Sequence, residues 1–127
     1  MPAQAFNAQV RREQPRAVIL DLHGEINGFA EEALNQAYAE AESVRPDTIL
    51  LNFSDVDYIN STGIALIVGL LARARKQHIP LRACGLSDHY MEIFTITRLA
   101  DFMGLYGDEA SALASAPAGP AKPSESA

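Results

Sequence analysis

The chain has 127 residues, 48% of them apolar, and a formal net charge of −6. That length supports one domain around one core, and the acidic balance argues against a nucleic-acid backbone as a direct ligand. A single cysteine, Cys84, excludes an internal disulfide, and its apolar neighbours make it a small buried residue rather than a nucleophile.

The N-terminal stretch MPAQAFNAQVRREQ has no apolar leader core, so the protein is expected in the cytoplasm. Within it, residues 5–12 form a weak strand candidate, and Gln14-Pro15-Arg16 reads as a turn. AVILDLHGEI (17–26) begins as a continuous apolar run and then alternates, with Val18, Leu20 and Leu22 on one face; it predicts a strand ending near Gly24. Asn27-Gly28 is a turn signal. From Phe29 to Val44 the period changes: Ala30, Ala33, Leu34, Ala37, Tyr38, Ala41 and Val44 fall three and four apart, with glutamates elsewhere. That is an amphipathic helix, stopped at Arg45-Pro46.

TILLNF (48–53) is wholly apolar apart from its polar Thr and Asn and suits a central strand covered on both faces. A loop is expected from Asp55 to Gly63. The second helix should run from about 62 to 78, closed by Pro80. LRACGL (81–86) predicts another strand. A third helix is expected over 88–97, with Tyr90, Ile93, Phe94 and Thr97 inward. Phe102 to Tyr106 reads as a short last strand and residues 108–115 as a final short helix. The domain is placed at 1–113. Residues 114–127 carry three Pro, five Ala and three Ser and are expected to be a disordered tail. Strands alternating with helices predict an α/β domain with a mixed four- to five-stranded sheet and about four helices. No apolar stretch is long enough for a bilayer span, which needs roughly 20 residues, so no membrane insertion is expected.

The informative segment is DYINSTGIALIVGLLARARK (57–76). Asn60 or Ser61 can cap the second helix, Thr62 lies in its first turn, and Gly63 permits close approach of another backbone or a ligand. Capping alone accounts for these residue types; a switch built on the cap is the other reading. The helix itself bears on that choice. With Ile64, Ile67, Val68, Leu71 and Ala74 as the core arc, the opposite arc is Thr62, Ala65, Leu66, Gly69 and Arg73. It has no charge before Arg73, and an uncharged outer face suits a closely packed partner. A phosphate on Ser61 would bring a charge of about −1.5 to −2. A helix N-terminus tolerates that charge, whereas a partner packed over it without a basic group would not.

VILDLHGEIN, TILLNFSDVDYINSTGIALIVGLL and the spacing within CGLSDHYMEIFTITRLADFMGLY together resemble the STAS domain, and within it the small bacterial anti-sigma factor antagonists. The resemblance spans roughly residues 5–115. It implies a protein without enzymatic activity or cofactor that works by partner switching. Unphosphorylated, it would bind an anti-sigma factor, often itself a serine kinase using Mg-ATP; phosphorylation would release it, and a PP2C-type phosphatase would reset the cycle. The family's phosphorylated residue matches Ser61, with Thr62 as second choice. Gly24 and Glu25 match the family's G-E loop beside the site. Partner contacts are expected from Gly24, Glu25, Asn27, Asn60, Thr62, Gly63, Ala65, Leu66 and Gly69. The family commonly carries Asp where this chain has Asn27 and Asn60; both swaps keep shape and remove a charge. The resemblance leaves the protein as a monomer or a weak homodimer.

A constitutive accessory subunit of a transporter, or of a stressosome-like sensory complex, is the alternative that fits the same uncharged face. An enzymatic reading has little support. His23, His78 and His89 lack metal-ligand spacing, and NSTG lacks the lysine of a phosphate loop. Asp55, Asp57 and Glu25 could form an acidic rim, which more often means a solvated loop than paired catalytic carboxylates. Arg11, Arg12 and Arg16 are expected to be solvated edge-strand charges, with an acidic partner as the second option.

Overall fold

The computed structural model of the chain describes residues 5–13 and 16–114. In chain order the elements are β1 (Asn7–Glu13), β2 (Ala17–Ile26), a 3-10 turn (Gly28–Ala30), α1 (Glu31–Ser43), β3 (Thr48–Ile59) and α2 (Ser61–Lys76). They continue with β4 (Leu81–Cys84), α3 (Asp88–Ile96), a second 3-10 turn (Leu99–Asp101), β5 (Gly104–Tyr106) and α4 (Glu109–Ala114). The described residues thus form one mixed sheet in the order β1-β2-β3-β4-β5 with four α-helices, the expected architecture. The first strand is antiparallel to β2, and the other neighbours are parallel. The turn expected at 14–16 and the tail fall largely outside the described residues; Ala114 closes α4.

Strand order follows chain order, so every parallel crossover steps the same way. Crossovers of one hand then lay their helices on one face of the sheet. Val18, Leu20, Leu22, Ile49, Leu51, Phe53, Leu81 and Ala83 form that face, packed against the buried sides of α1, α2 and α3. The opposite face has a small second core of Ile19, Leu50, Cys84 and Ala112, covered by α4. This explains the hydropathy pattern of β2. Residues 17–20 are covered on both sides and read as continuously apolar. Beyond α4 the outer positions are Asp21 and His23, and alternation begins. Burial among these groups pushes the Cys84 thiol up to about 11, in keeping with a packing role.

Polar groups fasten α4. Arg11 donates to both oxygens of Asp21 at 2.5 and 3.0 Å, and to Glu109 at 2.7 and 3.3 Å. Asn52 donates to Asp21 at 2.8 Å, and Arg82 donates to the Ala112 carbonyl at 2.9 Å near the end of α4. The Arg11 guanidinium and, second, the Asn52 amide hold the Asp21 carboxyl below its ordinary value of 3.8, against an opposing effect of burial. Arg11 is therefore spent within the fold, a correction to its reading as a solvated edge charge; Arg12 and Arg16 are exposed, as expected.

Three other expectations need correction. The segment 55–59 is strand, not loop: β3 stays paired to β2 up to Ile26↔Ile59. Two register shifts place an extra β3 residue opposite β2 each time, so side-chain alternation breaks at SDVDY and the sequence loses its strand signature. In α2 the buried arc is Gly63, Ile67, Leu70, Leu71 and Ala74, whereas Val68, assigned to the core, is 45% exposed. Thr97, expected inward, is exposed at the end of α3, where its hydroxyl donates to the Ile93 carbonyl.

Candidate functional site

The site is built where the C-terminal ends of β2 and β3 lie side by side. After Ile59 the chain turns into α2 through Asn60, whose backbone N–H donates to the Ile26 carbonyl at 3.2 Å. Asn60 is extended (φ −91°, ψ −177°), and its Oδ1 accepts the Gly63 N–H at 2.8 Å. One of the orphan donors of the helix start is thereby satisfied. The cap is therefore Asn60, leaving the Ser61 hydroxyl outside the capping arrangement. The side chains of Ser61 and Thr62 are exposed, and among the described residues neither hydroxyl has a hydrogen-bond partner.

Two devices hold this turn rigid. Gly63 is buried, and a Cβ there would run into the carbonyl group of Ile26 and the side chain of Ile59. The close approach that its glycine permits is made by the chain's own backbone. Tyr90, reaching over from α3, closes the other side. Its hydroxyl accepts the Ile59 N–H at 2.9 Å and faces the Ile59 carbonyl at 3.3 Å. Here β3 has run past its partner β4, whose pairing ends at Asn52↔Cys84. The phenol supplies the bonds that a neighbouring strand would have made.

The β2 end contributes the second half of the rim. Gly24 is buried with φ +93°, a conformation that glycine adopts without penalty, and it sits at the second register shift. Glu25 is half-buried opposite Tyr58. Asn27 accepts the Phe29 N–H at 2.9 Å through Oδ1, capping the 3-10 turn, and donates from Nδ2 to Glu25 at 3.0 Å. A carboxylate in its place could cap equally well but could not make that donation when ionised. A Cβ added at Gly28 would come within 3.7 Å of the Thr62 methyl, so the 3-10 turn lies near the start of α2.

Of the expected contact residues, Thr62, Ala65 and Gly69 are exposed, while Glu25, Asn27 and Asn60 are partly so. Gly24 and Gly63 are buried and serve the rim as backbone. Leu66 is half-buried and packs on the core, exchanging places with Val68. The exposed stripe of α2 is Ser61, Thr62, Ala65, Val68, Gly69 and Ala72. No acidic residue lies in the first turn of α2, while Arg73, Arg75 and Lys76 lie in the last, so its positive end is not neutralised from within. Two exposed aromatics that no local sequence pattern marks are Phe29, at 96% exposure in the 3-10 turn, and Tyr58, at 51% near the end of β3. The three- and four-residue spacing from Phe29 to Val44 predicts Phe29 at the start of an amphipathic helix. Only the 3-10 turn, which sends Ala30 inward, shows that it points out. His23 Nδ1 lies 3.2 Å from the Asp55 carboxylate, an ion pair only when the imidazole is protonated.

The STAS domain family model matches residues 8–112. The chain belongs to the STAS domain family. Relatives of this STAS domain include the anti-sigma-B factor antagonist of Listeria monocytogenes, 31% identical over 99 residues, covering 77% of this chain and 86% of that protein. The anti-sigma-B factor antagonist of Staphylococcus aureus is 30% identical over 80 residues, covering 63% of this chain and 74% of that one. Among solved structures, an anti-sigma factor antagonist from Mycobacterium paratuberculosis superposes with a TM-score of 0.75 at 18% identity, over 87% of this chain and 92% of that one. The unphosphorylated form of SpoIIAA, an anti-sigma factor antagonist, gives 0.68 at 20% identity, over 84% and 92%. At those identities the solved structures establish the STAS fold alone.

Proposed function

We propose that this STAS domain is an anti-sigma factor antagonist that works by partner switching, with Ser61 as the switch. Unphosphorylated, it docks on an anti-sigma factor through the start of α2 and the Glu25–Phe29 segment. The carrying observation is the Ser61 hydroxyl: fixed on a rigid helix start, exposed, and unused by the fold because Asn60 supplies the cap. The names of the relatives at 30–31% identity support the same reading. The domain is a binding protein and a kinase substrate rather than an enzyme, and it acts in the cytoplasm.

The chemistry is simple. The Ser61 Oγ attacks the γ-phosphorus of ATP on the anti-sigma factor/serine kinase, ADP leaves, and the hydroxyl proton passes to a base on the kinase. A PP2C-type phosphatase reverses the step by hydrolysis. The phosphate meets an unneutralised helix N-terminus, which favours it by about 0.3–1 kcal/mol. Against a docked partner the same dianion is desolvated at a penalty of several kcal/mol, on the order of a thousandfold in affinity.

The test is incubation with the cognate kinase and Mg-ATP, followed by intact-mass measurement. One phosphate should be added, lost in Ser61→Ala and kept in Thr62→Ala; the reverse pattern would move the acceptor to Thr62. Ser61→Asp should fold normally and bind the anti-sigma factor at least a hundredfold more weakly by calorimetry. Unchanged affinity would rule out the switch. Co-purification with a permease or a large assembly, without phosphate turnover, would favour the constitutive accessory role.

A further inference from the structure

We propose that Phe29 is the apolar anchor of this docking surface, entering a socket on the anti-sigma factor whose rim carries basic side chains. The inference rests on the function proposed above and adds a residue and a partner chemistry to it.

Phe29 stands apart from the other aromatic rings. Phe53 and Phe94 are buried and meet edge to face, with ring centroids 5.9 Å apart. Phe102, the other exposed phenylalanine, has the Arg75 guanidinium over its ring at 4.7 Å. Phe29 is 96% exposed and has no such partner among the described residues. Its backbone is held on both sides. Asn27 accepts its N–H and Ala30 is fully buried, so the ring is projected outward by a pinned turn. An ordered turn that presents a large apolar ring to water contributes little to folding and has the character of an interface anchor: aromatic, pre-organised, and adjacent to a charge-free stripe.

Charge selects the occupant. Glu31 and Glu32 follow after Ala30, and together with Phe29, Asn35 and Gln36 they line an open depression along α1. A second copy of this chain would bring the same acidic patch against itself, on a molecule of net charge −6. A partner offering an apolar socket flanked by lysine or arginine meets both features. A side chain added at Gly28 would come within 3.7 Å of the Thr62 methyl, so the Phe29 turn neighbours the start of α2 and one partner can cover both.

The experiment is calorimetry of the full chain against its anti-sigma factor, with Phe29→Ala, Phe29→Leu and Phe102→Ala. The anchor predicts about thirtyfold or greater loss of affinity for Phe29→Ala, partial recovery for Phe29→Leu, and no change for Phe102→Ala. Phe29→Ala should unfold in urea like wild type, since the ring is outside the core. In stopped-flow mixing, Glu31→Gln/Glu32→Gln should slow association several-fold at low salt and leave dissociation nearly unchanged. Wild-type binding with Phe29→Ala equally tight would overturn the anchor and leave the antagonist reading standing. If wild type failed to bind, that reading itself would fall, and the anchor with it. Self-association of wild type, abolished in Phe29→Ala by sedimentation, would assign the ring to a homodimer and overturn the proposal. An association rate insensitive to the glutamates would overturn the basic rim.

Discussion

Replacing Gly63 with alanine sets two effects against each other, and the structure decides the sign. In a helix, Ala is favoured over Gly by up to about 1 kcal/mol, and by less at this position, the third residue of the first turn. The added methyl, however, would overlap the Ile26 carbonyl group and press on the Ile59 side chain. Neither can yield cheaply. Ile26 is paired in register with Ile59, its carbonyl already accepts the Asn60 N–H, and Tyr90 holds the backbone of Ile59 from the far side. Overpacking of this kind typically destabilises by about 1–3 kcal/mol, and backbone neighbours place this case toward the upper end. A net loss of about 2 kcal/mol is expected, roughly 8 °C in Tm for a domain of this size. Gly69 is the internal control. It lies on the same helix with nothing near its Cβ position, so Gly69→Ala should stabilise by about 0.5–1 kcal/mol. Urea unfolding of both variants beside wild type, compared by midpoint at constant slope, reads the difference. If both substitutions stabilise alike, the helix start does not rest on the Ile26 backbone and the rigid presentation of Ser61 loses its basis.

The cap makes a second prediction. Asn60→Ala should lose about 1 kcal/mol, whereas Asn60→Asp should retain stability because a carboxylate oxygen can accept the Gly63 N–H as well; equal losses in both would show that the amide itself matters. A third concerns acid. The Asp21 carboxyl titrates below 3.8 in the fold, so its contribution is fully present above the unfolded value and disappears as pH falls through the native one. Asp21→Asn should therefore lose about 1 kcal/mol at pH 7, the low end for a charge-assisted pair because Arg11 is 36% exposed, and the gap to wild type should begin to close only as pH falls below 3.8 toward the native value. A difference that never narrows, even in acid strong enough to protonate the native carboxyl, would assign the loss to packing.

What the sequence discloses here depends on whether a local pattern has one interpretation. The β2 run and the α1 periodicity each do, and they place a strand and the helix that follows it; the NSTG cluster marks a helix start but leaves cap and switch both open. The second helix does not. Ile64, Leu66, Ile67, Val68, Leu70 and Leu71 are all apolar, so several rotations of the helix bury a good stripe, and only packing on β2 and β3 selects the one that exposes Val68. The 55–59 segment is hidden for a different reason: two extra residues in β3 cancel the two-residue period that marks a strand. Long-range partners leave no local trace at all. Arg11 and Glu109 are separated by 98 positions, and Tyr90 meets Ile59 across 31. In both cases the sequence displays an ordinary polar or aromatic residue with nothing to say what it touches.

These hidden contacts also account for how the site divides its labour. Asn60, Gly63, the Ile26 carbonyl and the Tyr90 hydroxyl are all consumed in holding the helix start. The Ser61 and Thr62 hydroxyls hold no hydrogen bond among the described residues, and Ser61, Thr62, Val68 and Phe29 are all exposed. A chemical change confined to the second set has no folding interaction to break. A phosphoryl group on Ser61 meets only solvent and the positive end of α2, so it leaves the domain as stable as before or slightly more so. The same group placed beneath a bound partner is a buried charge. The two consequences have opposite signs, and that opposition is what would let one covalent event dismiss a partner without unfolding the protein that carries it.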